Sequence, residues 1–406
     1  MQTNIVEELQ QTAQGAEADR ILRNCVHCGF CNATCPTYQL LGDELDGPRG
    51  RIYLMKQVLE GAEPGRATQV HLDRCLTCRN CETTCPSGVE YGKLLDIGRE
   101  RVEQQVTRPW RERVAREALR RLLPRPGRFR ALLRVGQAVR PLLPAGLKAR
   151  VPERERPPAW PAVRHERRML VLDGCVQPSM APAINASAAR VLDRLGISLT
   201  RAPQAGCCGA VDQHMGAPEA ARERMRANID AWWPHVAAGA EAIVMTASGC
   251  GAVVREYAHH LANDPDYAQK AERIAALTRD LAEVLADEDL RPLTPNRPPR
   301  VAVQTPCTLQ HAQSLPDAVT GLLQRAGFPL AAVAEAHLCC GSAGTYSILQ
   351  PALAEQLRDR KLGHLQADGP QLIATANIGC LHHLAAAAEV PVRHWIELFD
   401  PEPRPR

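Results

Sequence analysis

Cys25-Val-His-Cys28-Gly-Phe-Cys31-Asn-Ala-Thr-Cys35-Pro36 and Cys75-Leu-Thr-Cys78-Arg-Asn-Cys81-Glu-Thr-Thr-Cys85-Pro86 are two copies of one pattern, C-x2-C-x2-C-x3-C-P. Three thiolates spaced two residues apart wrap one face of an iron–sulfur cube, and the fourth reaches a second cube instead. The spacing therefore predicts one [4Fe–4S] cluster on Cys25, Cys28, Cys31 and Cys85, and a second on Cys35, Cys75, Cys78 and Cys81. The borrowed fourth ligand requires segments 25–35 and 75–85 to fold together with the clusters close. Two zinc sites are the alternative, but zinc favours four-ligand sets built from paired CxxC. A doubled run with proline after each fourth cysteine suits that poorly. His27 and His71 are read as neighbours of the clusters or surface residues, since cysteines already supply every ligand.

Around these runs the pattern is helical: Ile5 to Leu9, Ala16 to Leu22, Arg51 to Leu59 and Leu94 to Val102. Residues 1–102 are expected to form an α-helical domain with two 4Fe–4S motifs. Pro48 suits the first position of a helix. Arg49 and Arg51 after it would face solvent or add positive charge near a cluster.

Residues 103–165 form a basic, Pro-rich connector. Between Arg108 and Arg168 stand eighteen Arg and Lys against five Asp and Glu, in a chain whose net charge is only +4. Ala115 to Leu123 and Phe129 to Leu143 carry Leu and Val at helical spacing with Arg opposite, interrupted by Pro124, Pro126, Pro141 and Pro144. Pro152 to Pro161 reads as extended. Such a connector could meet anionic lipid or an acidic partner, or be a solvated linker. No aromatic residues interleave the basic ones as a nucleic-acid platform would need, so no nucleic acid is expected.

The remaining cysteines repeat. Cys175, Cys207, Cys208 and Cys250 recur as Cys307, Cys339, Cys340 and Cys380, offset by 132 residues for three and 130 for the last, which marks a duplicated domain. Apolar strands are expected over Arg168–Cys175, Glu241–Cys250, Arg300–Cys307 and Gln371–Cys380. Helices over Ala183–Leu195 and Val319–Arg325 should stop at Gly196 and Gly327. Strand–helix alternation points to parallel α/β units, whose ligands sit beyond the carboxyl ends of strands. The expected fold is thus α+β and multidomain, the helical N-terminal domain preceding cysteine-rich α/β domains at 166–290 and 298–400. Each copy offers four thiols for a further cluster, a zinc or redox-active thiol site, or a structural role. Gly209 and Gly341 permit the turn that brings each adjacent pair together. His214, His311, His382 and His383 fall near these cysteines, as ligands, as quinone or proton-transfer groups, or as ordinary histidines beside turns.

The CCG pattern resembles the cysteine-rich domain of heterodisulfide reductase B-type subunits, which ends in CxxC and can hold a non-cubane [4Fe–4S] cluster. Here Ala247 and Asn377 stand where the first cysteine of that CxxC would be. The whole layout is similar to the iron–sulfur subunits of bacterial glycolate oxidases (glycolate dehydrogenases). The resemblance is carried by His27-Cys28-Gly29-Phe30-Cys31, Pro36-Thr37-Tyr38, Gly47-Pro48-Arg49-Gly50-Arg51-Ile52-Tyr53, Gly344-Thr345-Tyr346-Ser347, Thr375-Ala376-Asn377-Ile378-Gly379-Cys380 and His394-Trp395-Ile396-Glu397-Leu398. It implies a hetero-oligomer whose FAD-containing subunits oxidise glycolate to glyoxylate, and D-lactate to pyruvate, while this chain passes electrons to a membrane quinone. The related subunits of anaerobic glycerol-3-phosphate dehydrogenase and of lactate utilisation are the alternative, as is a scaffold with structural clusters. No GxGxxG after a strand, Walker loop or HExxH is present, so flavin chemistry is expected on a partner. Without a leader-like N-terminus or a run of eighteen apolar residues, the chain is expected to lie peripherally on the cytoplasmic side of the inner membrane.

Overall fold

The computed structural model describes residues 1–144, 148, 151–155 and 158–400. The N-terminal unit is helical. Its core is a bundle of α1 (Ala13–Asn24), α2 (Pro48–Leu59), α3 (Arg66–Asp73) and α4 (Tyr91–Gln105). Leu22, Met55, Leu59, Leu94 and Leu95 close it. Pro48 is the first residue of α2, as expected. The cysteine runs occupy the loops between these helices, so the bundle clamps them from one side.

The basic connector folds into α5 (Trp110–Leu122) and α6 (Pro126–Val139), separated at Pro124 and extended by a 3-10 turn over Arg140–Leu142. Neither helix buries a single residue fully. The inner side of α5 is held by charge: Arg116 pairs with Asp73 at 2.8 Å and Arg120 with Asp212 at 3.1 Å. Two residues of the expected extended stretch, 156 and 157, lie outside the described residues. Its described part is neither helix nor strand.

Two parallel sheets follow. The first has the order β2-β1-β3-β4, from β1 (Arg167–Val171), β2 (Ile197–Arg201), β3 (Ile243–Met245) and β4 (Thr278–Asp280). The second has the order β5-β6-β7, from β5 (Val301–Gln304), β6 (Leu372–Thr375) and β7 (Val392–His394). Where β2 would lie, the second sheet has one parallel bridge between Leu330 and Val301. The copies therefore share one topology, with one edge strand worn to a single contact.

Helices alternate with these strands: α7 (Ala183–Arg194), α8 (Pro218–Ala237) and α9 (Ser248–Arg255) in the first copy, α10 (Ala318–Arg325), α11 (Pro351–Gln366) and α12 (Ile378–Ala385) in the second. Gly196 and Gly327 follow α7 and α10 with φ of 80° and 78°, the left-handed conformation that ends a helix. The two copies are not separate bodies. One hydrophobic core joins Leu192, Val244 and Leu285 of the first to Leu323, Trp395 and Phe399 of the second. Asp400 reaches back to accept bonds from Ser187 at 2.5 Å and Arg190 at 2.9 Å.

The expected strands were too long. Those drawn through Cys175 and Cys250 stop at Val171 and Met245, and those drawn through Cys307 and Cys380 stop at Gln304 and Thr375. The last cysteine of each copy sits in the first turn of α9 or α12, and Cys307 begins a short helix, Cys307–Gln310. Small residues such as Ala247, Ser248 and Gly249 carry little strand preference, and Ser248 is where the helix starts.

Candidate functional site

The two cysteine runs curl in the same way. His27 and Gly29 in the first loop, and Thr77 and Arg79 in the second, all have positive φ, between 53° and 86°. Three of these four are not glycine, so the curl is held against a steric preference of about 1–2 kcal/mol per residue. The curled loops enclose two adjoining cavities. One is lined by Cys25, Cys28, Cys31 and Cys85, with Cys81 at its wall. The other is lined by Cys35, Cys75, Cys78 and Cys81.

The two cavities differ in access. Cys28 is exposed at the outer one, between Val26 and Phe30, 67% and 61% exposed. The inner one lies deeper. Arg51, only 1% exposed, donates to the Cys35 sulfur at 4.0 Å, to Thr37 Oγ1 at 3.1 Å and to the carbonyl of His71 at 2.7 Å. Its charge is shared with Asp46, which also takes Arg74 at 2.8 Å and His71 at 3.0 Å. Tyr91 donates its hydroxyl to the Cys75 sulfur at 3.6 Å, and the Thr77 amide donates to the same sulfur at 3.4 Å. The solvated reading of Arg51 is thereby corrected: it is a buried cation beside a cysteine of the inner cavity. Arg49 is only half-buried, paired with Glu44 at 2.6 Å.

Without a cluster these thiols are poorly placed to ionise. Burial, and then the neighbouring Cys25 and Cys28, push the Cys31 thiol up to about 11. Burial pushes Cys78 and Cys81 well above the usual thiol range. Thiolates crowded in this way need a metal group to balance them. A single zinc ion does not suit, because Zn–S bonds of about 2.3 Å put the sulfurs about 3.8 Å apart. Among the described residues, the only three His, Cys or carboxylate ligand atoms within 4.8 Å of one another belong to Asp43, Asp46 and His71, and no three thiols come that close. The sulfurs stand far enough apart for a polynuclear cluster.

The duplicated cysteines also gather, at the carboxyl edge of each sheet. In the first copy, Cys175 and Cys207, Cys207 and Cys208, and Cys208 and Cys250 are neighbours close enough to shift one another's ionisation. The second repeats this with Cys307, Cys339, Cys340 and Cys380. Gly209 and Gly341 follow the pairs with φ of 98° and 87°. A side chain at Gly341 would meet the Ala354 carbonyl at 2.4 Å. The adjacent thiols hold Cys207 and Cys340 well below the usual thiol range.

The surroundings of the two quartets differ. Ala221 and Ala354 present their carbonyls to the CCG glycines, and seven residues further along stand Asn228 and Lys361. Asn228 donates to the Cys207 carbonyl at 2.9 Å and to Tyr257 Oη at 3.0 Å. Lys361, 2% exposed, donates to the carbonyls of Glu335 and Ala336, both at 3.0 Å, with all four thiols of the second quartet acting electrostatically on its ammonium. The second quartet also touches the N-terminal unit. Leu76 and Cys78 pack with Cys307, Cys339 and Tyr346, and Cys307 is the first thiol whose charge raises Cys78.

The histidines are mostly accounted for by structure. His311 bridges Thr83 Oγ1 and the His337 carbonyl, both at 3.0 Å, and His383 contacts the Ala354 carbonyl at 3.1 Å. His214 lies 3.7 Å from Asp96, and His27 meets Tyr53 edge-on. The sequence reading missed Lys361, Tyr91, Asn228 and Asn80, whose partners are remote in the chain.

Comparison with known proteins agrees with this geometry. Residues 21–89 match a 4Fe-4S dicluster domain, and residues 169–255 and 301–385 each match a cysteine-rich domain. The chain is 59% identical to the glycolate oxidase iron-sulfur subunit of Escherichia coli (strain K12), over 98% of each chain. It belongs to the family of glycolate oxidase iron–sulfur subunits. A probable glycolate oxidase iron-sulfur subunit of Bacillus subtilis (strain 168) is 32% identical, over 91% of this chain and 89% of its own. Lactate utilization protein A of Shouchella clausii (strain KSM-K16) is 28% identical over 56% of this chain and 95% of its own. In this iron–sulfur subunit family the dicluster domain accounts for the first eight cysteines, and the repeated domain for the other eight.

Proposed function

We propose that the chain is the electron-relay subunit of a glycolate-oxidising complex. Flavin-bearing partner subunits take two electrons and two protons from glycolate to give glyoxylate, and from D-lactate to give pyruvate. This chain moves the electrons singly toward a membrane quinone, which takes up two electrons and two protons. Clusters exchange one electron at a time, so a two-electron flavin needs such a relay. Cys25, Cys28, Cys31 and Cys85 hold the outer cluster, and Cys35, Cys75, Cys78 and Cys81 the inner one. The observation that carries the reading is the pair of adjoining cavities, each lined by the first three cysteines of one run and the fourth of the other, with Cys81 at the wall of both.

The route has a direction. The outer quartet opens to solvent at Cys28, which suits entry from a partner. The inner quartet abuts Cys307 and Cys339, so the second cysteine-rich copy is the onward station, with Lys361 as its fixed counter-charge. The residues 1–102, 103–165, 166–290 and 298–400 accordingly serve as cluster domain, connector, first copy and second copy.

Single Cys→Ser variants test the allocation by iron content and EPR. Cys35→Ser is expected to damage the same cluster as Cys75→Ser, and Cys85→Ser the same one as Cys25→Ser. Damage that follows the runs instead, Cys35 with Cys25, would overturn the interleaving.

A further inference from the structure

The connector helices present an exposed apolar face that no described part of the chain covers. Trp110 and Val114 on α5, Leu132, Val135 and Val139 on α6, and Leu142 just beyond are between 41% and 85% exposed. On α6 the spacing 132, 135, 139, 142 puts these side chains in one stripe along the helix. The stripe is not core awaiting closure, because the opposite sides are already seated. α5 is tied to Asp73 and Asp212 through Arg116 and Arg120, and α6 rests on the short helix Gln177–Met180 of the first copy.

The charge on α6 itself is of one sign. α6 contains no acidic residue, while Arg128, Arg130 and Arg134 are exposed on it, with Arg125 just before. Among the described residues none of Arg128, Arg130 and Arg134 pairs with a carboxylate. Arg111 lies over the Trp110 ring at 5.4 Å. An amphipathic helix of this kind, with an apolar stripe on one side, Arg128 beside the stripe and Arg130 and Arg134 on the other side, lies in the plane of a bilayer surface with its stripe at the headgroup boundary. No helix of the described residues is long and apolar enough to cross a membrane.

We infer that α5 and α6 form an in-plane docking surface for anionic lipid. The inference rests on the reading that the relay ends at a membrane quinone, and it specifies how the chain comes within reach of one. The arginines supply attraction to acidic headgroups, worth about 1 kcal/mol each near the surface, and the stripe supplies insertion.

The test is sedimentation of the full, cluster-loaded chain with quinone-free vesicles of phosphatidylcholine containing phosphatidylglycerol, against vesicles of phosphatidylcholine alone. Binding is expected on the anionic vesicles at low salt, weakening as salt rises. The triple variant Arg128→Gln, Arg130→Gln, Arg134→Gln should bind about a hundredfold more weakly. Leu132→Asp with Val135→Asp should abolish binding, while Ile348→Asp, which changes an exposed apolar residue outside the face, should leave it intact. Unchanged cluster EPR spectra show that these variants are folded. No binding to anionic vesicles at low salt, or equal binding by parent and variants, would overturn the inference. So would variants that keep vesicle binding but lose the flavin-bearing subunits, which would make the occupant a protein. Reduction of the clusters by glycolate in the complex is a separate readout, so failure of the relay reading leaves the vesicle result standing.

Discussion

The two cysteine-rich copies have one topology and one thiol pattern, yet they meet the N-terminal cysteine loops differently: the second brings its own cysteines against them. In the first, neutral side chains hold the backbone of the cysteine pair: Asn228 and Tyr257 bind the Cys207 and Cys208 carbonyls at 2.9 Å. In the second, Lys361 takes the place of Asn228, and Cys307 and Cys339 share a core with Leu76 and Cys78 of the inner cluster loop. Duplication supplied two similar cages, and the contacts made by a single loop give them different surroundings. Two neighbours in that loop show the division. Arg79 reaches Glu256 of the first copy at 2.8 Å, and Asn80 donates to the His337 carbonyl of the second at 3.2 Å.

The largest expected effect breaks the comparison outright. Cys340→Ser should stop electron delivery to a quinone analogue while glycolate still reduces the two N-terminal clusters, and Cys208→Ser should leave delivery unchanged. Equal losses, measured as quinone-analogue reduction by the assembled complex, would make the copies equivalent.

Exchanging the residues that distinguish the copies sharpens the point. Lys361→Asn removes a buried positive charge and should disfavour reduction of the adjacent centre by on the order of 1–2 kcal/mol. Its midpoint potential should therefore move to a more negative value in an EPR-monitored redox titration, with Lys361→Arg restoring much of it. A potential that stays put would separate Lys361 from the relay.

The loop contacts come next. Arg79→Ala should cost about 1–3 kcal/mol of stability by freeing Glu256, with little change in delivery. Asn80→Ala should cost about 1–2 kcal/mol and slow delivery as well, since it loosens the side that faces the second quartet. Denaturant unfolding and quinone-analogue assays on the same preparations would show whether the two effects separate.

The smallest effect lies at the far edges of the sheets. Asp280 caps the helix after β4 by accepting from the Ala282 amide at 2.9 Å, while His394 takes the matching place after β7 and donates to the Thr246 carbonyl at 2.8 Å. Burial pushes the Asp280 carboxyl up to about 7. A raised carboxyl binds its proton more tightly folded than unfolded, so its contribution is fullest in acid and fades as pH climbs from the ordinary carboxylate range through about 7. Asp280→Asn keeps the cap oxygen and should flatten that decline, gaining thermal stability at pH 8 relative to pH 5. A parallel decline in parent and variant would remove Asp280 as its cause.

Much of this was legible in the chain because its decisive chemistry is local. The C-x2-C-x2-C-x3-C-P runs mark the two loops that the fold brings together, and the repeat of Cys175 to Cys250 in Cys307 to Cys380 marks the duplication. The α7 and α10 helix stops were readable at Gly196 and Gly327 for the same reason. What escaped depends on partners far along the chain. Arg51 was left open between solvent and a cluster because its contacts with Cys35, Thr37 and Asp46 form only once the bundle closes. Lys361 carries no motif, and its place under the second quartet follows from the docking of α11 against Glu335 and Ala336. The strands were overdrawn because Ala247 to Cys250 and Asn377 to Cys380 are small or mixed residues that a helix start accepts equally well.

Freeze-quench EPR of the complex with its flavin-bearing subunits, mixed with glycolate, tests the account most directly. Both N-terminal cluster signals should grow as the flavin is reoxidised, and should interact magnetically as neighbours in adjoining cavities. Clusters that remain oxidised while the flavin becomes fully reduced would contradict the relay.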